Sequence, residues 1–279
     1  MRPVLFHIGS FPVYSYTIFV VLAYLAGLAY AWQEARRQKQ DPVHVLDLGL
    51  VIFISGIAGA RLLFVLIDYK RFLSSPLDVF KIWQGGLVYY GGLILAAAAA
   101  AVYLKVKRLP LGLWADILAP TAMLALAYGR IGCFLNGCCY GRPAPDLAWA
   151  VVYPPSHPSL LLGLGQVPVH PTPIYSSLAA LVIFLLLLLV QKRKRFQGQT
   201  FFMMLLFYSV ARFVIEFFRG DPRGTVPVLQ ISTSQFISLV SWCAAVAFLV
   251  RGYRGGASLA GPNEEARKKS GLEQGGAGS

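Results

Sequence analysis

An all-α, polytopic membrane protein with about seven transmembrane helices is the fold class that the sequence predicts, and composition, run length and charge distribution each point to it. Hydrophobic residues occupy 57% and charged residues 13% of 279 positions, with a mean hydropathy of +0.61. A soluble core of this size needs far less apolar material. The apolar residues gather into runs that are each long enough, or nearly so, to cross roughly 30 Å of hydrocarbon as a helix. The basic residues collect mainly between alternate pairs of those runs.

The first run, residues 16–32, lies inside the chain without a basic segment ahead of it or a small-residue cleavage pattern behind it, so a retained helix is expected and not a cleaved signal peptide. The second and third runs, 45–67 and 87–104, flank a segment at 68–84 that contains Pro76 and an amphipathic pattern, which predicts a short interfacial helix. The fourth and fifth, 118–135 and 174–190, flank a loop over 136–173 rich in proline and glycine, expected to form a small extracytoplasmic lid or head. Runs at 201–218 and 236–250 complete the set. Short connections and the lack of an internal repeat predict one transmembrane domain over 1–252. From 253 to 279 the chain turns to Gly, Ser, Lys and Glu, which predicts a disordered cytoplasmic tail.

Orientation follows from the loops. Arg36, Arg37, Lys39, Lys105, Lys107, Arg108, Lys192, Arg193, Lys194, Arg195 and the basic tail share one side and outnumber those opposite, so that side is expected in the cytoplasm and the N-terminus outside. The net charge of +13 is then accounted for by topology and anionic lipid contact. Nucleic-acid binding is not expected, because no basic run is interleaved with stacking aromatics.

Arginine within a span costs several kcal/mol on insertion scales and so marks a candidate site. Arg61, Arg130 and Arg212 lie in the second, fourth and sixth runs, each about six residues before the expected outer end, or roughly 9 Å below the boundary. For a single one, snorkelling to the interface would suffice. On the sixth run Arg212, Glu216 and Arg219 follow at i, i+4 and i+7, one helix face. Two readings stand there: an ion pair that only lowers the insertion cost, or a glutamate that orients guanidinium groups toward an anion, a task that suits arginine's planar fork.

The same level carries Gly85-Gly86 and Gly91-Gly92 around Tyr90, the segment Gly129-Arg130-Ile131-Gly132 through Asn136-Gly137 to Gly141-Arg142, and His170-Pro171-Thr172. Glycine pairs allow close backbone approach, whether to a ligand or a neighbouring helix. His170 suits a base, a phosphate donor or a satisfied interfacial residue equally. Cys133, Cys138 and Cys139 lack the paired C-x2-C arms of a structural zinc site and the four histidines are scattered, so no metal is expected; whether the cysteines are paired or free stays open.

These stretches together resemble the prolipoprotein diacylglyceryl transferases, along nearly the whole chain before the tail. The matching residues are Tyr16, Gly59-Ala60-Arg61, the two glycine pairs, Gly129 to Arg142, His170-Pro171-Thr172, and Arg212 with Glu216 and Arg219. The resemblance implies transfer of the diacylglyceryl group from phosphatidylglycerol to the lipobox cysteine thiol of a preprolipoprotein in a bacterial inner membrane, forming a thioether and releasing glycerol phosphate. It implies no metal or organic cofactor, and a site toward the outer leaflet. On this reading Arg130 and Arg212 hold the phosphate, Glu216 orients, Arg219 and Arg61 support, and Tyr16, Asn136, Gly141 and His170 line the substrate. Tyr90 stands where some members have a histidine assigned as a base, and Cys133 and Cys138 stand where others have Asn and an acidic residue. A lipid transporter or an inert scaffold would be the alternatives. The first predicts charges spread from face to face, the second arginines that are fully paired.

Overall fold

A computed structural model describes residues 2–82, 85–153, 167–220, 225–226 and 231–254; the expected tail lies almost wholly outside them. Seven helices are long and apolar enough to cross a membrane: α1 (Ser15–Arg37), α2 (Val43–Ile67), α4 (Tyr89–Val106), α5 (Leu111–Asn136), α6 (Thr172–Lys192), α7 (Gln199–Glu216) and α8 (Thr233–Arg254). Each coincides with an expected run. Most extend beyond it at one or both ends, because polar residues continue a helix that hydropathy alone ends early. The interfacial segment is a short α3 (Tyr69–Ser74) followed by a 3-10 turn (Pro76–Phe80). A hairpin of β1 (Val4–Ile8) and β2 (Phe11–Tyr14) precedes α1, and β3 (Thr225–Val226) pairs with β4 (Ile231–Ser232) ahead of α8. Large apolar side chains such as Ile54, Ile94, Leu189 and Val240 are exposed along the helices, as lipid-facing surfaces require.

The chain divides into two compact units, Met1–Tyr30 with Ala115–Ser279, and Ala31–Trp114. In the second, α2 and α4 cross at glycine. A Cβ on Gly59 would collide with the Gly91 carbonyl and one on Gly91 with the Gly59 carbonyl, so bare backbones meet there. The Val88 N–H donates to the Ala60 carbonyl at 3.0 Å, just before α4 begins. Arg61 faces the chain that joins the two helices and is buried, at 7% exposure.

In the first unit, Ala119 and Met123 of α5, Ile183 and Leu187 of α6, and Met204 of α7 form the core. Two polar devices hold these helices in register. Asp116, fully buried, accepts from the backbone N–H groups of Gly198, Thr200 and Phe201 at 2.8 to 3.1 Å and pairs with Lys194 at 3.3 Å, so a side chain of α5 caps the N-terminus of α7. Pro120 inside α5 has no N–H to give the Asp116 carbonyl one turn earlier. Gln191 of α6 supplies the missing donor at 2.9 Å, and its amide oxygen accepts from the Tyr30 hydroxyl, also at 2.9 Å.

Candidate active site

The site grows from the end of α5. Asn136-Gly137 stops that helix in a Schellman arrangement: Gly137, at φ +75°, donates to the Phe134 carbonyl and Cys138 donates to the Cys133 carbonyl, each at 3.1 Å. Cys139 follows at φ +62°. These two left-handed residues turn the chain back on the helix, so Cys138 and Cys139 return to Cys133. All three Sγ atoms lie within 4.8 Å of one another, as free thiols. Arg130, one turn before Cys133, donates from Nη1 to Cys139 Sγ at 3.6 Å. Asn136 hydrogen-bonds the Cys138 thiol. Hydrogen bonds from Cys133 and Cys138, then the Arg130 and Arg219 charges, hold the Cys139 thiol below the ordinary thiol range.

Arg130 also faces α7. Together with Arg212, Arg219, Tyr208, Ser176 and Ala211 it lines a narrow cavity of about 10 Å³, room for roughly one water. Arg212 pairs with Glu216 at 2.5 Å and donates from Nη2 to Ser234 Oγ on α8 at 2.9 Å. The i, i+4 spacing on α7 brings the ion pair together, and Ser234 holds the other edge of the fork. Converging guanidinium groups have the charge and the planar donor geometry that suit an anion such as phosphate, and a group of that size enters this space only as their side chains part.

A backbone strap runs beside the arginines. Gly141 pairs with Arg219 in an antiparallel bridge, Gly141 N–H donates to the His170 carbonyl at 3.0 Å, and Arg142 N–H donates to the Phe218 carbonyl at 2.9 Å. A Cβ on Gly141 would strike His170 and the Phe218 carbonyl, which explains the glycine. Thr172 Oγ1 donates to the Cys139 carbonyl at 2.6 Å. The His170 ring lies 5.2 Å from that of Phe218, and its Nδ1 is 3.2 Å from the Tyr175 hydroxyl, which also accepts from Trp149 Nε1 at 2.8 Å. Burial, then the Arg142 charge, lowers the His170 pKa. Tyr16 opens α1 where that helix packs on Gly132 of α5, within electrostatic reach of Arg130 and the cysteines.

The structure thus brings Tyr16, Arg130, Asn136, Gly141, His170, Arg212, Glu216 and Arg219 into one unit and links most of them directly. Arg61 and Tyr90 belong to the other. There Arg61 donates all five of its N–H groups to carbonyls, those of Asp78, Val79, Lys81, Gly85 and Gly86, between the rings of Phe64 and Phe72, each 5.4 Å away. That commits it to ordering the loop ahead of α4. The Tyr90 ring packs edge-on to Tyr89 at 5.8 Å. Sequence reasoning missed Tyr208, whose one signal was an amphipathic residue in an apolar run, Ser234, which stands two positions ahead of the last run, and the convergence of the three thiols, whose signal was the Asn-Gly helix stop between them.

Fold and site define a helical multi-pass membrane protein with three arginines gathered on one narrow cavity. The family model for prolipoprotein diacylglyceryl transferase matches residues 3–251, and the chain belongs to that family. It is 35% identical to a phosphatidylglycerol–prolipoprotein diacylglyceryl transferase of Clostridium tetani, over 86% of this chain and 93% of that one. A second enzyme of that description in Clostridium perfringens is 34% identical over 86% and 91%, and the one of Rhodospirillum rubrum 33% identical over 89% and 91%. The chain is accordingly a transferase of lipoprotein maturation.

Proposed function

We propose that the protein moves the diacylglyceryl group of phosphatidylglycerol onto the lipobox cysteine thiol of preprolipoproteins, forming a thioether and releasing glycerol phosphate. The observation that carries this reading is the convergence of Arg130, Arg212 and Arg219 on one cavity, with Glu216 and Ser234 fixing Arg212. Displacing a phosphate ester from a glyceryl carbon builds charge on the leaving oxygen, and fixed guanidinium donors stabilise it where water is excluded. Arg130 and Arg212 take the phosphate, Arg219 supports them, and Tyr16, Asn136 and His170 border the headgroup with Gly141 keeping the strap close. Arg61 acts by ordering the loop before α4, and Tyr90 lies at the start of that helix for contact with the lipid. The positive-inside rule supports an outward N-terminus, a cytoplasmic C-terminus and a site toward the outer leaflet of a bacterial inner membrane.

The test is to incubate purified protein with phosphatidylglycerol vesicles and a lipobox peptide and to weigh the peptide. Gain of one diacylglyceryl mass, resistant to hydroxylamine, is expected. Lipid movement without modified peptide would sink the transferase reading in favour of a transporter.

A further inference from the structure

The other end of α7 carries a second set of arginines. Gln199 opens that helix, roughly 20 Å along its axis from Arg212. There Leu189, Val190, Arg193, Arg195, Gln199 and Tyr253 line an open cleft of about 410 Å³, within the roughly 300–1,000 Å³ of ligand sites. Helix α6 ends at Lys192, and the chain leaves it through Arg193, Lys194 and Arg195. Lys194 turns inward to the buried Asp116 carboxylate at 3.3 Å, while the arginines on either side of it line the cleft. A hydrogen-bond network fixes the wall they share with α7 and α8. Buried Gln199 accepts from the Arg195 N–H at 2.6 Å and donates from Nε2 to the Tyr253 hydroxyl at 2.8 Å. The Tyr253 ring packs edge-on to Phe196 at 5.5 Å, and the Arg195 guanidinium stands 5.8 Å from its centre. Gly252 makes room for this packing, because a Cβ there would strike the Phe196 ring. Since the Tyr253 hydroxyl accepts from Gln199, its own hydrogen can serve a further acceptor.

We propose that this cleft binds one anionic phospholipid of the leaflet opposite to the arginine cavity. The headgroup phosphate meets the Arg193 and Arg195 guanidinium groups and the Tyr253 hydroxyl, and an acyl chain runs along Leu189 and Val190 of α6. Net charge selects the lipid class. Among the described residues that line the cleft none is acidic, so a zwitterionic headgroup would set its ammonium beside two arginines with no carboxylate to meet it. The apolar wall separates a lipid from a free phosphate ion, which would leave Leu189 and Val190 uncovered. A lipid so placed touches the ends of α6 and α8 and the start of α7 together. Its binding therefore reinforces the joint that Asp116 already holds. The site is separate from the transfer centre and does not depend on the transferase reading.

Native mass spectrometry of the full-length protein in detergent tests the site, with dioleoyl phosphatidic acid as the probe. That lipid carries a phosphate and two acyl chains without an ammonium group. Wild-type protein should retain one phosphatidic acid with an affinity about tenfold or more above that for dioleoyl phosphatidylcholine, and excess inorganic phosphate should not displace it. This comparison needs no variant to fold. R193A/R195A should lower the affinity for phosphatidic acid about tenfold, and R130A/R212A should leave it at the wild-type value. Both cleft arginines are exposed, so their removal leaves the core intact. Equal affinity for the two lipids, displacement by inorganic phosphate, or unchanged affinity in R193A/R195A overturns the lipid site. A fall in R130A/R212A as large as in R193A/R195A also overturns it. No transfer is read in these measurements, so each outcome leaves the transferase reading to its own test.

Discussion

Arg212 is held on two sides, by Glu216 and by Ser234, and lies one turn from the end of α7. On the proposed function, removing it takes away a fixed donor to the leaving phosphate. Arg212→Ala and Arg130→Ala should each lower peptide modification by about 10²- to 10³-fold with membrane insertion intact, the size seen when one oxyanion donor is lost. Glu216→Gln keeps shape but frees Arg212 to swing, so a smaller loss of roughly tenfold is expected in the same assay. His170 gives a pH dependence. Its pKa in the folded protein is lowered, so the unfolded chain takes the proton first as pH falls through the ordinary histidine range near 6.5. The stability present above that range is lost as the solution is acidified, and H170Q should flatten thermal stability measured between about pH 5 and 7. The i, i+4, i+7 stripe of Arg212, Glu216 and Arg219 was readable in sequence because one helix carries it. Ser234 was not, since its partner lies 22 positions away on another helix whose rotation no local pattern fixes.

Among the elements, α2 and α4 depend on glycines where each backbone meets the other. A Cβ at position 91 meets the Gly59 carbonyl, which cannot rotate out of the way. Gly91→Val should therefore destabilise the protein by about 1–3 kcal/mol, read as a lowered unfolding temperature in detergent. Arg61 shows how an intramembrane charge can be legible while its use is not. Its position in an apolar run predicts a special environment, and it has one, but its five donors meet backbone carbonyls of the loop just before α4. Carbonyls carry no sequence signal, so anion binding and loop clamping look alike until the loop's path is known. Arg61→Lys, with three donors on a flexible stem, should loosen that loop to proteolysis even though charge is kept.

At the scale of the molecule, seven spans and their approximate limits followed from hydropathy because lipid forces every backbone group into a helix and every helix into an apolar run. The hairpin at Val4–Tyr14 left no comparable trace, being short and partly apolar on both faces. Asp116 was equally hidden: an aspartate near a span's end reads as interfacial, yet it anchors α7 to α5. Asp116→Ala should remove the cap and leave Lys194 without its acid, lowering stability by about 2–4 kcal/mol in detergent unfolding.

Pro120 and Gln191 carry a consequence for how this chain can change over generations. The proline strands the Asp116 carbonyl, and the glutamine rescues it while holding Tyr30. Gln191→Leu is therefore harmful as long as the proline stands, and milder in a P120A background, where the α5 backbone serves that carbonyl itself. The order of substitution matters: proline must go before glutamine is free to drift, and once glutamine has drifted the proline cannot return. Lineages that depart from this pair should do so along a one-way road.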